Sequence, residues 1–193
     1  MGLRRSFKPI NIVQGGNFPS TSGWSATAST NTVSNNILSN AGDGTNASAR
    51  VNGTTSIACV IGKKIYIKAK LTIKNSVASG LILYVGTTGI GGKEVVRQLI
   101  PTQNIQYTLS GIVTLDANDV GNIQPRCYHY YVDAATANGK VMEVQQVFAV
   151  DISTLPVEIQ SMSDANIKSL LDTFPWFDGA LSASGFGGIG GLK

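Results

Sequence analysis

The sequence predicts an all-β fold, a jelly-roll β-sandwich with a short C-terminal helix and a Gly-rich tail. Three observations carry this expectation. Charged residues make up only 13% of the 193 residues, while 42% are hydrophobic; an average soluble domain is about 25% charged. The chain is rich in small polar residues, with 18 Ser, 16 Thr and 14 Asn beside 22 Gly. About nine or ten apolar-alternating segments follow one another at 8–14-residue spacing with no helical pattern between them, which suits a sandwich or jelly roll. The same numbers exclude other classes. The chain is too apolar for disorder, has no 18-residue apolar run for a membrane helix, and lacks the composition of coiled coils and helical bundles. No fixed-period repeat points to a propeller or solenoid.

Taken in order, residues 1–9 (MGLRRSFKP) form a basic arm and residues 10–152 the sandwich. Short strands are expected at Asn11–Gln14, Trp24–Ser29, Asn31–Leu38 and Ala47–Val51. Lys64–Lys74 is the clearest strand: Ile65, Ile67, Ala69, Leu71 and Ile73 share one face, and Tyr66, Lys68, Lys70, Thr72 and Lys74 the other. That alternation predicts one buried and one wet face. Leu81–Val85 lies between Gly80 and Gly86, Glu94–Ile100 stops at Pro101, and Ile105–Asp116 alternates again. Arg126–Asp133 and Val141–Ile152 complete the set, with Asn138-Gly139 as the turn between them. In RCYHYYVD, either Tyr128 and Tyr130 point inward with Val132, or Tyr131 points inward with Cys127. Residues 153–179 form a helical appendage: a capping pattern at Ser161–Asp164 precedes Ala165–Phe174, where Ile167, Leu170, Leu171 and Phe174 recur at helical spacing. Pro175 ends the helix, and residues 180–193 are the Gly-rich tail.

Cys59 and Cys127 lie far apart in sequence, without metal-ligand spacing, and read as free buried thiols. No apolar segment follows Arg4 and Arg5 as a signal peptide would require. Residues 1–100 carry a net charge of +9 (11 Lys/Arg, Asp43 and Glu94), and residues 101–193 one of −5 (4 Lys/Arg, 9 Asp/Glu). Such asymmetry fits a polyanion partner, or packing of one half on the other or on a neighbouring copy.

Catalytic signatures are missing, and no catalytic residue is assigned. The single histidine, His129, stands in a strand beside Cys127 and reads as a packed side chain rather than a base. Gly86–Lys93 lacks the order of a phosphate loop and reads as a mobile hairpin loop. Asp116 and Asp119 read as turn formers rather than a hydrolytic acid pair. No cofactor and no metal are expected; for calcium, the contributors would be Asp43 and Asp151. The row Lys68, Lys70 and Lys74, with Tyr66, either meets an anionic polymer or is a solvated strand face. Aromatic rings stack on the C–H groups of a sugar, so Trp24, Tyr66, Tyr128 and Tyr130 are the glycan-binding candidates; Trp24 suits a core better than a ligand.

Segments of the chain bear a resemblance to known families. Asn11-Ile-Val-Gln-Gly-Gly-Asn17-Phe18 followed by Gly23-Trp24-Ser25, the strand GKKIYIKAKLTIK and the closing Val144–Asp151 resemble carbohydrate-binding-module-like jelly rolls. Asp151-Ile-Ser-Thr154 and Trp176-Phe177-Asp178-Gly179 are similar to the segment that follows such domains in tail and baseplate proteins of bacteriophages. The F-G-x-G-x-E-P usual between them is replaced here by Leu155-Pro-Val-Glu158. The resemblance implies a non-enzymatic virion protein of tail, baseplate, fibre or capsid, assembled in the bacterial cytoplasm. It implies a homo-oligomer, with a trimer favoured, that contacts other virion proteins and host cell-wall polysaccharide, and neither membrane nor nucleic acid. Phe174, Trp176 and Phe177 would anchor the appendage, on its own domain or on the next subunit. The alternative is a carbohydrate-binding module acting in host adsorption, and a wall depolymerase is the least favoured reading.

Overall fold

The computed structural model describes residues 9–75 and 77–174. Among them are ten strands: β1 (Trp24–Thr27), β2 (Ser29–Ser34), β3 (Ile37–Gly42), β4 (Ser48–Gly53), β5 (Lys64–Ile73), β6 (Gly80–Thr87), β7 (Gly92–Leu99), β8 (Gln106–Thr114), β9 (Ile123–Tyr130) and β10 (Val141–Asp151). They form two five-stranded antiparallel sheets, one ordered β1-β4-β9-β6-β7 and the other β2-β3-β10-β5-β8. The fold is the expected all-β jelly-roll sandwich with a short C-terminal helix.

The main core lies between the sheets. Val51, Leu83, Cys127 and Val85 from the first face Leu38, Ile67, Leu71 and Val144 from the second. Lys64–Lys74 alternates as expected along β5, and its odd-numbered residues Ile65 to Ile73 are fully buried. Cys127, His129 and Tyr131 point inward, so Tyr128 and Tyr130 point outward, and Val132 is exposed.

Several boundaries differ from expectation for identifiable reasons. Asn11–Gln14 forms no strand; the Asn11 side chain instead accepts from the Val13 and Ala149 amides, and Val13 and Phe18 plug the core. Trp24–Ser29 is broken at Ala28, whose φ is 54°. Asn31–Leu38 is not one strand but the β2–β3 hairpin, since Asn35 and Asn36 take φ of 52° and 59° and Ser34 pairs with Ile37. Consecutive asparagines tolerate the left-handed region that a two-residue hairpin turn needs. The Asn138-Gly139 turn is present, preceded by the short helix α1 (Ala134–Ala137) capped by Asp133.

The described part of the appendage, residues 153–174, packs on its own domain. A 3-10 turn (Ile152–Thr154) leads into α2 (Val157–Gln160) and α3 (Asp164–Asp172), with the Ser163 side chain capping α3. Ile152, Leu155, Ile159, Ile167, Leu171 and Phe174 close over Tyr66, Phe148 and Val150 on the outside of the second sheet. A register shift between Gln145 and Phe148 in β10 accompanies this second core, and Val147 to Val150 are buried in succession. The outer face of β5 is therefore not the wet face its alternation suggests, because α3 covers half of it. No helix among the described residues is long and apolar enough to cross a membrane.

Candidate functional site

The two outer sheet faces differ. That of the second sheet is sealed over Tyr66 by the appendage. That of the first sheet is not covered by the described part of the appendage, and the pairing register determines which side chains meet there. Arg50 on β4, Tyr128 on β9, Ile82 on β6 and Arg97 on β7 form one cross-strand row. Asn52, Arg126, Tyr84 and Glu94 form the next, and Ser48, Tyr130, Gly80 and Leu99 flank the first row on its other side.

The rings on this face are held in place. Tyr84 and Tyr128 meet edge to face, with centroids 5.7 Å apart. The Arg50 guanidinium lies over Tyr128 at 5.3 Å and donates to its hydroxyl at 3.3 Å. Arg97 lies over Tyr130 at 5.2 Å, donates to its hydroxyl at 3.2 Å, and pairs with Glu94 at 2.6 Å. Burial, and then Tyr128, raise the Tyr84 pKa above its ordinary value, so the phenol stays protonated at neutral pH.

Two glycines set the contour. A Cβ on Gly80 would overlap the Tyr130 ring, and one on Gly86 would overlap the Arg126 guanidinium. Both β9 side chains thus lie down across β6 instead of standing off the sheet. Arg126 is clamped there by bonds to the Thr87 carbonyl (2.6 Å) and the Gln124 side chain (2.7 Å). Two polar atoms on this face, Arg50 Nε and Asn52 Oδ1, are enclosed without a hydrogen-bond partner. Unmet buried donors and acceptors are rare in folded proteins and often mark functional positions. Aromatic faces beside half-buried guanidinium groups suit a sugar: its C–H groups stack on rings and its hydroxyls hydrogen-bond.

The sequence-based candidates divide. Tyr128 and Tyr130 stand on this face. Trp24 does not: it is 6% exposed, packs on Phe18 at 4.9 Å, and donates from its indole to the Gly15 carbonyl. Tyr66 does not either: it is fully buried, against Phe148 and under α3. Tyr84, Arg50, Arg97 and Arg126 complete the face and were not singled out from sequence; Tyr84 sits inside the apolar-looking run LILYV, where only the strand's period marks it as outward.

The lysine row is not one surface. Lys68 Nζ donates to the Asp172 and Phe174 carbonyls and Lys74 pairs with Glu143 at 3.5 Å, which leaves Lys70 without a carboxylate among the described residues. Of the assembly anchors, Phe174 packs on its own domain; Trp176 and Phe177 lie outside the described residues, as do residues 1–8 of the arm and all of the tail.

Among the described residues, no group of three or more His, Cys, Asp or Glu side chains is placed to hold a metal ion. Asp43 accepts from Thr45 at the end of the second sheet where β3 finishes. Asp151 pairs with Lys63 at 2.8 Å at the far end of β10, so the two acids do not converge on a calcium ion. Asp116 and Asp119 are turn residues, and both pair with Lys93. The loop between β6 and β7 is hydrogen-bonded to the 119–122 segment: Thr88 and Gly89 donate to the Asn122 and Val120 carbonyls, and Gly92 donates to Asp119. His129 is buried between the sheets and bonded to Asn40 and Tyr131, and burial lowers its pKa to about 4. Cys59 and Cys127 are both free thiols.

No protein-family model matches the chain. No curated protein sequence matches it either. Solved structures do match in fold. A CBM4 carbohydrate-binding module superposes with a TM-score of 0.52 and 15% identity, covering 68% of this chain and 96% of the module. The arabinose-bound α-L-arabinofuranosidase MgGH51 gives a TM-score of 0.54 and 11% identity, over 74% of this chain and 26% of the enzyme. This chain therefore corresponds to about a quarter of that enzyme's length. The enzymatically active domain of bacteriophage CBA120 tailspike protein 4 matches with a TM-score of 0.49 and 16% identity, over 74% of this chain and 21% of that one. At these identities the likeness shows the fold: the chain has the jelly-roll architecture of carbohydrate-binding modules.

Proposed function

We propose that the chain is a non-catalytic glycan-binding module whose ligand lies across the outer face of the first sheet. The observation that carries this reading is the cluster of Tyr84, Tyr128 and Tyr130, interleaved with Arg50 and Arg126 on the one described sheet face that the appendage leaves open. The jelly-roll fold shared with a CBM4 module supports it. Screening the protein on a glycan array and on insoluble wall polysaccharides tests it. Binding should fall at least about tenfold for Tyr128→Ala and for Tyr84→Ala, the loss expected when one central stacking residue is removed. Both side chains lie outside the core, so the melting temperature should hardly change. Equal binding to all glycans, or ligands retained by both variants, would overturn the reading.

The setting is a second proposal. The segment that follows β10, with Asp151-Ile-Ser-Thr154 at its head, is similar to bacteriophage tail and baseplate proteins. On that ground the module belongs to a homo-oligomeric virion subunit, a trimer, that contacts host wall polysaccharide. Mass in solution and probing of purified particles with an antibody against the chain test this. A monomer absent from particles overturns the setting and leaves the glycan-binding reading standing.

A further inference from the structure

We infer that the ligand of this face is an anionic polysaccharide, bearing carboxylate or phosphodiester groups, held by Arg50 and Arg126 beside the tyrosines; this rests on the glycan-binding reading above. The charge pattern of the described surface argues for it. Lys63, Lys64, Lys74, Lys93, Arg97 and Lys168 each have a carboxylate within ion-pair distance. Lys68, Lys70, Lys140, Arg50 and Arg126 have none among the described residues, and of these only the two arginines, both half-buried, belong to the aromatic face. Asn52 lies opposite Arg126 and Arg50 opposite Tyr128, so the two arginines are diagonal cross-strand neighbours, about 7–8 Å apart at the backbone.

Their geometry suits anion capture more than sugar hydroxyls alone require. Arg50 is half-buried and spends one Nη on the Tyr128 hydroxyl; its Nε is enclosed, which leaves the rest of the guanidinium for a ligand. Arg126 is fixed by the Thr87 carbonyl and Gln124, both neutral, so its charge is placed without being cancelled. Two planar cations pre-positioned in this way meet an oxyanion with little further ordering. A neutral glycan would leave both charges half-buried and unpaired, a cost that an anionic one removes. The other basic stripe offers no pair of free cations, because Lys68 is spent on helix carbonyls and Lys74 on Glu143, which leaves Lys70 alone.

The test is binding to polygalacturonate, to its carboxyl-reduced neutral counterpart, and to a poly(glycerol phosphate) teichoic acid, at 50 and 500 mM NaCl. One or both anionic polymers should bind at least about tenfold more tightly than the neutral one, the range for charge-assisted hydrogen bonds. Which of them binds identifies carboxylate or phosphodiester as the source. High salt should weaken that binding. Arg50→Gln should abolish the preference, Arg50→Lys should fail to restore it because the planar fork is lost, and Lys70→Gln on the opposite sheet should change nothing. Neutral polymer bound as tightly, with Tyr128→Ala still abolishing it, would overturn the charge inference and keep the glycan reading. No binding to these polymers or to any glycan on the array would overturn both.

Discussion

The Tyr66 hydroxyl donates to Asp172 Oδ1 at 2.8 Å and so ties β5, near the strand's start at Lys64, to the end of α3. It is one of three ties at alternate β5 positions. Lys64 pairs with Asp164 at the start of the helix, and Lys68 reaches the Asp172 and Phe174 carbonyls at and beyond its end. Four residues of strand span about 13 Å, and eight residues of helix about 12 Å, so helix and strand run side by side in step. Lys68 also places a cation at the helix C-terminus, where the exposed carbonyls favour it.

Tyr66→Phe should lower stability by about 1 kcal/mol, the net worth of one buried hydrogen bond. Tyr66→Ala should cost about 3–5 kcal/mol, because it empties the second core. Hydrogen exchange should show α3 opening more readily in both variants while β9 stays protected. If Tyr66→Ala leaves exchange in α3 unchanged, the helix is not held by β5.

This relationship explains why sequence alone misplaced Tyr66. A period of two separates the faces of a strand, yet it does not say what covers the outer one. The amphipathic helix was legible from Ile167, Leu171 and Phe174, and the tyrosine from its alternation; only the tertiary structure joins them. The same gap produced Trp24 as a candidate, since an indole in a Gly-rich segment reads alike whether it plugs a core or faces a ligand. Tyr128 and Tyr130 were legible as one of two alternating sets. Burial of Cys127, His129 and Tyr131 decided between the sets.

Gly80→Ala should weaken glycan binding more than it weakens the fold. The added methyl meets the Tyr130 ring, which must swing off β6 and away from Arg97. The backbone of Gly80 has no positive φ to lose. Affinity for the array ligand should drop several-fold with the melting temperature nearly unchanged. A large fall in melting temperature with affinity intact would mean that Gly80 serves packing and not the face.

The two thiols should react unequally. Cys127 is fully buried and burial pushes its pKa up to about 12, so almost no thiolate forms at neutral pH. Cys59 is partly exposed, and its pKa is raised by burial and then by Asp119. An aromatic disulfide reagent at pH 8 should therefore modify one thiol slowly in the native protein and two in denaturant, with Cys59→Ser removing the native reaction. Two native thiols reacting at one rate would contradict the enclosure of Cys127.

His129 links the two sheets, and it should make stability depend on pH in a predictable direction. The Asn40 amide donates to Ser29 Oγ and Asn31 Oδ1, so its oxygen is left to accept from His129 Nε2 at 2.9 Å. Nδ1 then accepts from the Tyr131 hydroxyl at 3.0 Å. Protonation of the ring would reverse the second bond, with Nδ1 donating to the Tyr131 oxygen, and would bury a charge; that burial lowers the folded pKa from 6.5 to about 4. Because the unfolded chain takes up the proton first, this contribution is complete above pH 6.5 and is lost between pH 6.5 and 4. The total loss is about 3 kcal/mol. As the chain has a single histidine, its ring carbon protons give one unambiguous NMR signal. That signal should stay in the neutral position from pH 8 to pH 5 while denaturation midpoints fall, and the fall above pH 5 should flatten in His129→Gln. A native signal that titrates near 6.5 would show the ring in contact with water and remove the link between the sheets.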